Sequence, residues 1–277
     1  MNAMDKCKIY IACHKSCEVP SDNVYTPIQV GRARSQVKLK MIGDDTGDNI
    51  SQKNNTYCET TGQYWVWKNI SNVEFVGFCH YRRFFDYKFT EESVESLFSD
   101  KTDVVISAPH FRYNTMQQTL LMYVSSDDVV ILKSIISKLY PEYIPTIEKH
   151  LMGVWDYPYN MLVCRKELFD KYCTWLFAIL SECEKSIKLS PYSRARRIFG
   201  YIAEFLMPVF FIHNRCKIKK LNTVFLSENG PVPYRLKLKS KIIGFLLELY
   251  YKQKDGPYMY DPAHINALKN DGIEINF

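Results

Sequence analysis

No apolar run in this sequence approaches the roughly 18 residues that a membrane-spanning helix requires, and neither an internal repeat nor a low-complexity linker interrupts it. A membrane anchor, a solenoid and a string of loosely tethered domains are thereby disfavoured. Paired zinc-type cysteines are missing as well. The nine cysteines, Cys7, Cys13, Cys17, Cys58, Cys79, Cys164, Cys173, Cys183 and Cys216, are odd in number and scattered, which suits free thiols in a reducing compartment better than a disulfide framework. The opening MNAMDK carries no apolar signal region, so a cytoplasmic protein is expected. There is no phosphate-loop GKS or GKT and no ordered Ser-His-Asp or Cys-His set, so hydrolase and phosphate-loop ATPase chemistry lack support. Zinc-finger and glycine-aromatic nucleic-acid signatures are also lacking, so nucleic acid is not an expected partner.

Of the 277 residues, 47% are hydrophobic and 14% aromatic, enough to bury a sizeable core in one large domain with an appendage. The formal net charge of +6, from 36 Lys and Arg against 30 Asp and Glu, fits phosphate-bearing ligands or an anionic membrane surface. Short apolar runs at 8–13 (KIYIAC), 73–79 (VEFVGFC) and 103–108 (DVVISA) predict strands. A further strand is expected at the end of WDYPYNMLV (155–163). Helical patterns cover 57–69, 126–139, 166–184 and 193–211, the last interrupted near its end by Pro208. Strands alternating with helices predict an α/β sheet whose ligands gather beyond the carboxyl ends of its strands.

The sharpest local pattern is VGFCHYRR, because a buried strand delivers His80, Tyr81, Arg82 and Arg83 to one strand end. Arginine forks match phosphate oxygens and stay charged, so these residues could stabilise a departing nucleoside diphosphate electrostatically; a solvated strand end with the arginines paired to carboxylates is the competing account. His14 and Lys15 follow the first strand and face the same expected crevice, although a lone histidine is more often structural. The loop 41–55, MIGDDTGDNISQKNN, holds Asp44, Asp45 and Asp48. It fails as an EF-hand because the twelfth position from Asp44 is Asn55. Its aspartates could bind nucleoside hydroxyls, with Asn49, Ser51, Lys53 and Asn54 near phosphate oxygens at a helix start; turn and capping roles fit equally. Asp156 and Glu204 are the carboxylates considered for general base. Asp156 sits among aromatics suited to sugar stacking and is preferred, because Glu204 neighbours Arg196 and Arg197.

The ordered set IYIACHK, DDTGDNIS, YWVWKN, VGFCHYRRFF, YNMLVCRKELFDKYCTWLF and RRIFGYIAEFL resembles a bacterial family first catalogued as a domain of unknown function and associated with capsular and exopolysaccharide glycosyltransferases. The resemblance spans about 8–221 and implies an A-type (Rossmann-like) nucleotide-sugar fold with helical additions. It further implies a cytoplasmic hexosyltransferase acting from a UDP-sugar, with galactose in pyranose or furanose form leading, on a lipid-linked or oligosaccharide acceptor of a surface polysaccharide such as capsule, exopolysaccharide or lipopolysaccharide. By the same resemblance His14, Lys15, Asp45, Asn49, Lys53, His80, Arg82 and Arg83 become donor-site candidates, and Asn160 corresponds to the asparagine preceding the sugar-facing strand. An Asp-x-Asp after a strand is missing, so no metal ion and no other cofactor are expected. A noncatalytic nucleotide- or polysaccharide-binding component of an assembly complex is the alternative. The expected division is a glycosyltransferase domain over 4–225 and a basic, amphipathic extension over 226–277. In the extension, Arg235, Lys237, Lys239 and Lys241 lead into the apolar run 242–247. Peripheral docking on the inner membrane surface is one expectation for it, and a helix packed on the rest of the protein is the other.

Overall fold

The computed structural model describes residues 4–252 and 261–276; the first three residues of the MNAMDK opening lie outside that range. The chain divides into two compact units. The first comprises the chain up to Pro109, Tyr157–Thr174 and Arg215–Arg235; the second comprises His110–Asp156, Trp175–Asn214 and the chain from Leu236 onward.

Twelve strands run along the described chain: β1 (Asp5–Cys13), β2 (Tyr25–Gln29), β3 (Ile42–Gly43), β4 (Val73–His80), β5 (Arg83–Phe85), β6 (Val104–Ser107), β7 (His110–Phe111), β8 (Trp155–Asp156), β9 (Leu162–Arg165), β10 (Ile218–Leu221), β11 (Thr223–Ser227) and β12 (Gly230–Pro233). In the first unit the sheet runs β10-β6-β9-β4-β1-β2-β3, with β5, β11 and β12 attached off that path. The β1–β2, β1–β4, β2–β3 and β6–β10 pairs are parallel, whereas β9 is antiparallel to both β4 and β6. This mainly parallel α/β sheet is the architecture the alternating strand and helix patterns predict.

Successive strand residues point to opposite faces, and β1 uses both faces. Cys7, Ile9, Ile11 and Cys13 join Phe75 and Cys79 of β4 in a buried cluster with Val94, Leu97 and Phe98 of the helix Glu91–Ser99. On the other face, Tyr10 stacks on Phe78, which stacks on Phe169. A strand buried on both sides reads as a continuous apolar run, which is why KIYIAC and VEFVGFC are conspicuous.

Strand β2 has no such signal because Pro27 lies inside it. Its outer neighbour β3 pairs only with Ile28 and Gln29, so at Pro27 the strand is an edge, where a missing N–H is tolerated. Pro208 also behaves differently from the expected interruption. The helix Ile198–His213 continues through it, since burial of most of that helix, from Ile198 to Phe211, offsets the roughly 3 kcal/mol that an interior proline costs.

The second unit holds the β7–β8 pair and a helical core. The helix Ser126–Leu139 has the predicted bounds and opens with a capping box, in which Ser125 and Asp128 satisfy each other's backbone N–H. Its buried Val129, Val130, Leu132 and Ile136 belong to the same unit as buried Ile147, Leu151, Ile202 and Leu206. There Tyr143 stacks on His213 with ring centres 3.7 Å apart.

Candidate active site at a strand switch point

From β1 the chain moves to β2 on one side and returns to β4 on the other. The carboxyl ends of β1 and β4 therefore flank a topological switch point, where open α/β sheets form their ligand crevice. The β1 end carries His14 and Lys15, and the β4 end carries His80, Tyr81, Arg82 and Arg83.

The last four form a tight hairpin rather than a simple strand end. His80 pairs antiparallel with Arg83, leaving Tyr81 and Arg82 at the tip. The Tyr81 N–H donates to the Ala12 carbonyl at 3.2 Å, which ties the tip to β1. The tyrosine ring then gathers a histidine and two cations. The His14 ring meets it edge-on at 4.9 Å, Lys15 Nζ lies 5.9 Å from its centre and the Arg82 guanidinium 5.2 Å. The two arginines part company here. Arg82 is exposed, whereas half-buried Arg83 lies over the Tyr159 ring at 4.5 Å and the Phe225 ring at 5.6 Å, and its Nε has no hydrogen-bond partner.

Behind the hairpin lies an unusual turn at 158–160. Tyr159 and Asn160 both have positive φ, 83° and 51°, a conformation that costs about 1–3 kcal/mol per residue and persists only where surroundings enforce it. Here three consecutive carbonyls accept from side chains of three different segments: Pro158 from Ser107 Oγ at 2.9 Å, Tyr159 from His80 Nε2 at 3.1 Å, and Asn160 from Gln63 Nε2 at 3.0 Å. A carbonyl only accepts, so His80 Nε2 carries a proton.

Asn160 Nδ2 in turn donates to Glu59 Oε1 at 2.8 Å, and His80 Nε2 approaches the same oxygen at 3.6 Å. Burial pushes the Glu59 carboxyl toward neutrality, but the His80 charge and hydrogen bonds from His80 and Asn160 outweigh it and hold the carboxyl down at about 2. Glu59 was not among the sequence candidates; its signal is a carboxylate in YCETTGQ at the start of an aromatic helix.

The aspartate-rich loop is held in place by its own hydrogen bonds. Buried Asp44 accepts from the N–H groups of Gly31 and Arg32 at 2.8 and 3.1 Å and from the hydroxyls of Ser51 and Thr61 at 2.5 and 2.6 Å. It thus ties the segment after β2 to the helix Thr60–Asn69. Gly31 occupies a left-handed conformation, φ 66°, and a side chain there would meet Asn54 at 2.5 Å, so glycine is required. Asp45 pairs with Lys38 at 3.2 Å and Arg32 at 3.8 Å. Asn49 bonds locally to Gly47 and Ser51, and Lys53 is exposed at the end of a 3-10 turn.

His14, Lys15, His80, Arg82, Arg83 and Asn160 thus belong to contact networks at the β1 and β4 ends, while Asp45 and Asn49 are engaged within the 29–51 region. Asp156 and Glu204 lie in the second unit. Asp156 Oδ2 accepts both Arg112 Nε at 3.0 Å and Nη2 at 2.5 Å. Glu204 is half-buried in its helix, and Arg196, eight positions before it, donates to the carbonyls of Ser190 and Pro191. A cavity of about 400 Å³ in the second unit is lined by Tyr123, Ile131, Ile198 and Leu268 among others and contains none of the candidates.

The family model described as a domain of unknown function (DUF4422) matches residues 8–215. The chain belongs to that family. Among solved structures, this DUF4422 chain is similar to one described as the apo structure of the bifunctional glycosyltransferase WbbM, with 30% identity and a TM-score of 0.70 over 80% of this chain and 46% of that one. It therefore spans less than half of WbbM. The fold of the DUF4422 chain is the A-type, Rossmann-like fold of glycosyltransferases. A search of the curated proteins finds no match.

Proposed function

We propose that this DUF4422 chain is a glycosyltransferase that moves a hexosyl group from a UDP-sugar to a saccharide acceptor of a bacterial surface polysaccharide. Galactose, as pyranose or furanose, is the leading donor sugar, and a lipid-linked or oligosaccharide acceptor receives it. The observation that carries this is the cationic group around Tyr81 at the switch point, set on a fold shared with WbbM. Arg82 and Lys15 supply positive charge, with His14 beside them, where an A-type enzyme holds the donor diphosphate, so the leaving UDP is stabilised electrostatically and no metal ion is needed. His80 and Asn160 complete the donor side, with Asp45, Asn49 and Lys53 toward the nucleoside.

In the reaction the acceptor hydroxyl oxygen bonds to the anomeric carbon while the bond from that carbon to the diphosphate oxygen breaks. UDP leaves with that electron pair, and the hydroxyl proton passes to a carboxylate. Asp156 is the proposed base, its Oδ2 oriented by Arg112, with Glu204 the alternative.

Calorimetry with UDP and uridine, combined with turnover on a panel of UDP-sugars, tests this. UDP binding and turnover are expected to persist in excess chelator. Arg82→Ala is expected to weaken UDP by about 1.5–3 kcal/mol, the worth of a charge-assisted bond, and to leave uridine nearly unchanged. Asp156→Asn is expected to retain UDP and lose about 100-fold in turnover. Equal losses of UDP and uridine, or activity restored only by manganese or magnesium, would defeat the diphosphate assignment. Binding of UDP without turnover on any donor and acceptor pair would support a noncatalytic component instead.

A further inference from the structure

The helix Leu238–Lys252 carries an apolar face that the protein leaves in solvent. At about 100° per residue, Leu238, Ile242, Phe245, Leu246 and Leu249 share one arc of the helix, and all five are between 43% and 72% exposed. The opposite side is the packed one. Gly244 is buried so closely that a side chain there would meet Trp155 at 2.5 Å and Phe111 at 3.3 Å, which seats the helix backbone on β7 and β8 and aims the apolar arc away from them. Monomeric proteins rarely present such contiguous apolar surface without a use for it.

Charge identifies the occupant. Exposed Lys239 and Lys241 border the arc on its two sides, and exposed Lys237 precedes the helix. Arg235 is not part of this set, since it belongs to the first unit and approaches Asp86 at 3.9 Å. Glu248 is the only carboxylate of the helix, and it is half-buried. In a two-fold dimer through this face the same surface would meet itself, bringing lysines together with no exposed helix carboxylate to pair them. A surface of anionic lipid neutralises the lysines and buries the leucines, isoleucine and phenylalanine in the same contact.

We infer that the outer face of the helix Leu238–Lys252 docks the protein in the interface of an anionic membrane, with Phe245 and Leu246 inserted and Lys237, Lys239 and Lys241 against the headgroups. This does not depend on the transferase assignment, and its readout is lipid binding alone. The whole chain is sedimented with vesicles of phosphatidylcholine and of phosphatidylcholine mixed with phosphatidylglycerol, while solution mass is followed by light scattering. Binding to the mixed vesicles, weak binding to the neutral ones and a monomeric mass are expected. Phe245→Gln with Leu246→Gln should weaken binding at least tenfold, and Lys237→Gln with Lys239→Gln and Lys241→Gln about 100-fold, at roughly fivefold per cation. All substituted side chains are exposed, so the thermal midpoint should stay unchanged in both variants. No binding to the anionic vesicles, equal binding to neutral ones, or undiminished binding by either variant overturns the inference. So does a dimer that the Phe245→Gln, Leu246→Gln pair dissociates.

Discussion

The 158–160 turn of the first unit and the outer face of the helix Leu238–Lys252 of the second break the ordinary partition of side chains in opposite directions. In the turn, polar groups are buried: Ser107, Gln63 and Asn160 are each at most 1% exposed, and each donates a hydrogen bond in the network around it. On the helix, large apolar side chains are in water. A buried polar group or an exposed apolar patch is informative where a buried leucine is not, because each runs against the hydrophobic effect and persists for another reason. Inside, that reason is geometric. Each lost partner would strand a donor or acceptor, so the turn is rigid and holds Tyr159 beneath Arg83. Outside, the reason is a surface that arrives from elsewhere. Removing a side chain should therefore destabilise the protein at the first kind of position and leave it folded at the second.

The largest effect is expected at Asp44, the acceptor for four donors of the first unit. Asp44→Ala leaves the Gly31 and Arg32 N–H groups and the Ser51 and Thr61 hydroxyls to find other partners, at about 1–3 kcal/mol for each that stays buried and unpaired. A loss of about 3 kcal/mol or more in urea unfolding is expected, together with faster hydrogen exchange at the Gly31 and Arg32 amides. A loss below about 1 kcal/mol would mean that this loop is not held by Asp44.

Next comes Glu59, where the size of the effect depends on pH. Its carboxyl is held at about 2 against an ordinary 4.5. A depressed carboxyl contributes stability that is fully present above about pH 4.5 and disappears as the pH falls toward 2. At pH 5.5 Glu59→Gln is expected to cost about 2–3 kcal/mol. The gap between the two proteins should then close between pH 4.5 and 2. A gap constant across that window would show that the Glu59 charge contributes nothing to holding His80 and Asn160.

How much of this was legible in the sequence follows from how far apart the partners lie. KIYIAC and VEFVGFC announce β1 and β4 because burial on both faces leaves a local apolar signal, and the placement of HYRR at a strand end follows from the second. That HYRR turns back as a hairpin is not local. Its return strand β5 pairs with β11, around Phe225, and that pairing is what sends Arg83 inward while Arg82 stays at the tip. Glu59 meets Asn160 across 101 positions, so no motif window contains both. In the sequence Asp44, Asp45 and Asp48 stand together as one acidic loop. Only the fold distinguishes the buried acceptor of four bonds from Asp45, engaged by two surface cations, and Asp48, which accepts from Tyr64. On the helix Leu238–Lys252 the sequence supplied the residues, lysines followed by an apolar run, but not the side that faces inward, which the contact of Gly244 with Trp155 decides.

The smallest expected effect is the one that completes the contrast. Phe245 has the size of a core residue, and replacing a buried phenylalanine by a small side chain costs about 3–5 kcal/mol. At 60% exposure its ring has most of its surface in water already, so Phe245→Gln removes little burial and opens no cavity, and the helix keeps its seat through Gly244. Unfolding in urea should shift by no more than about 0.5 kcal/mol, the range of ordinary surface substitutions. Adding anionic vesicles should reverse the equality. A ligand that binds only the folded state raises apparent stability with the logarithm of its affinity, so vesicles should stabilise the parent chain more than the variant. A loss above about 2 kcal/mol in the absence of lipid would place Phe245 in the core and remove the distinction between the two regions.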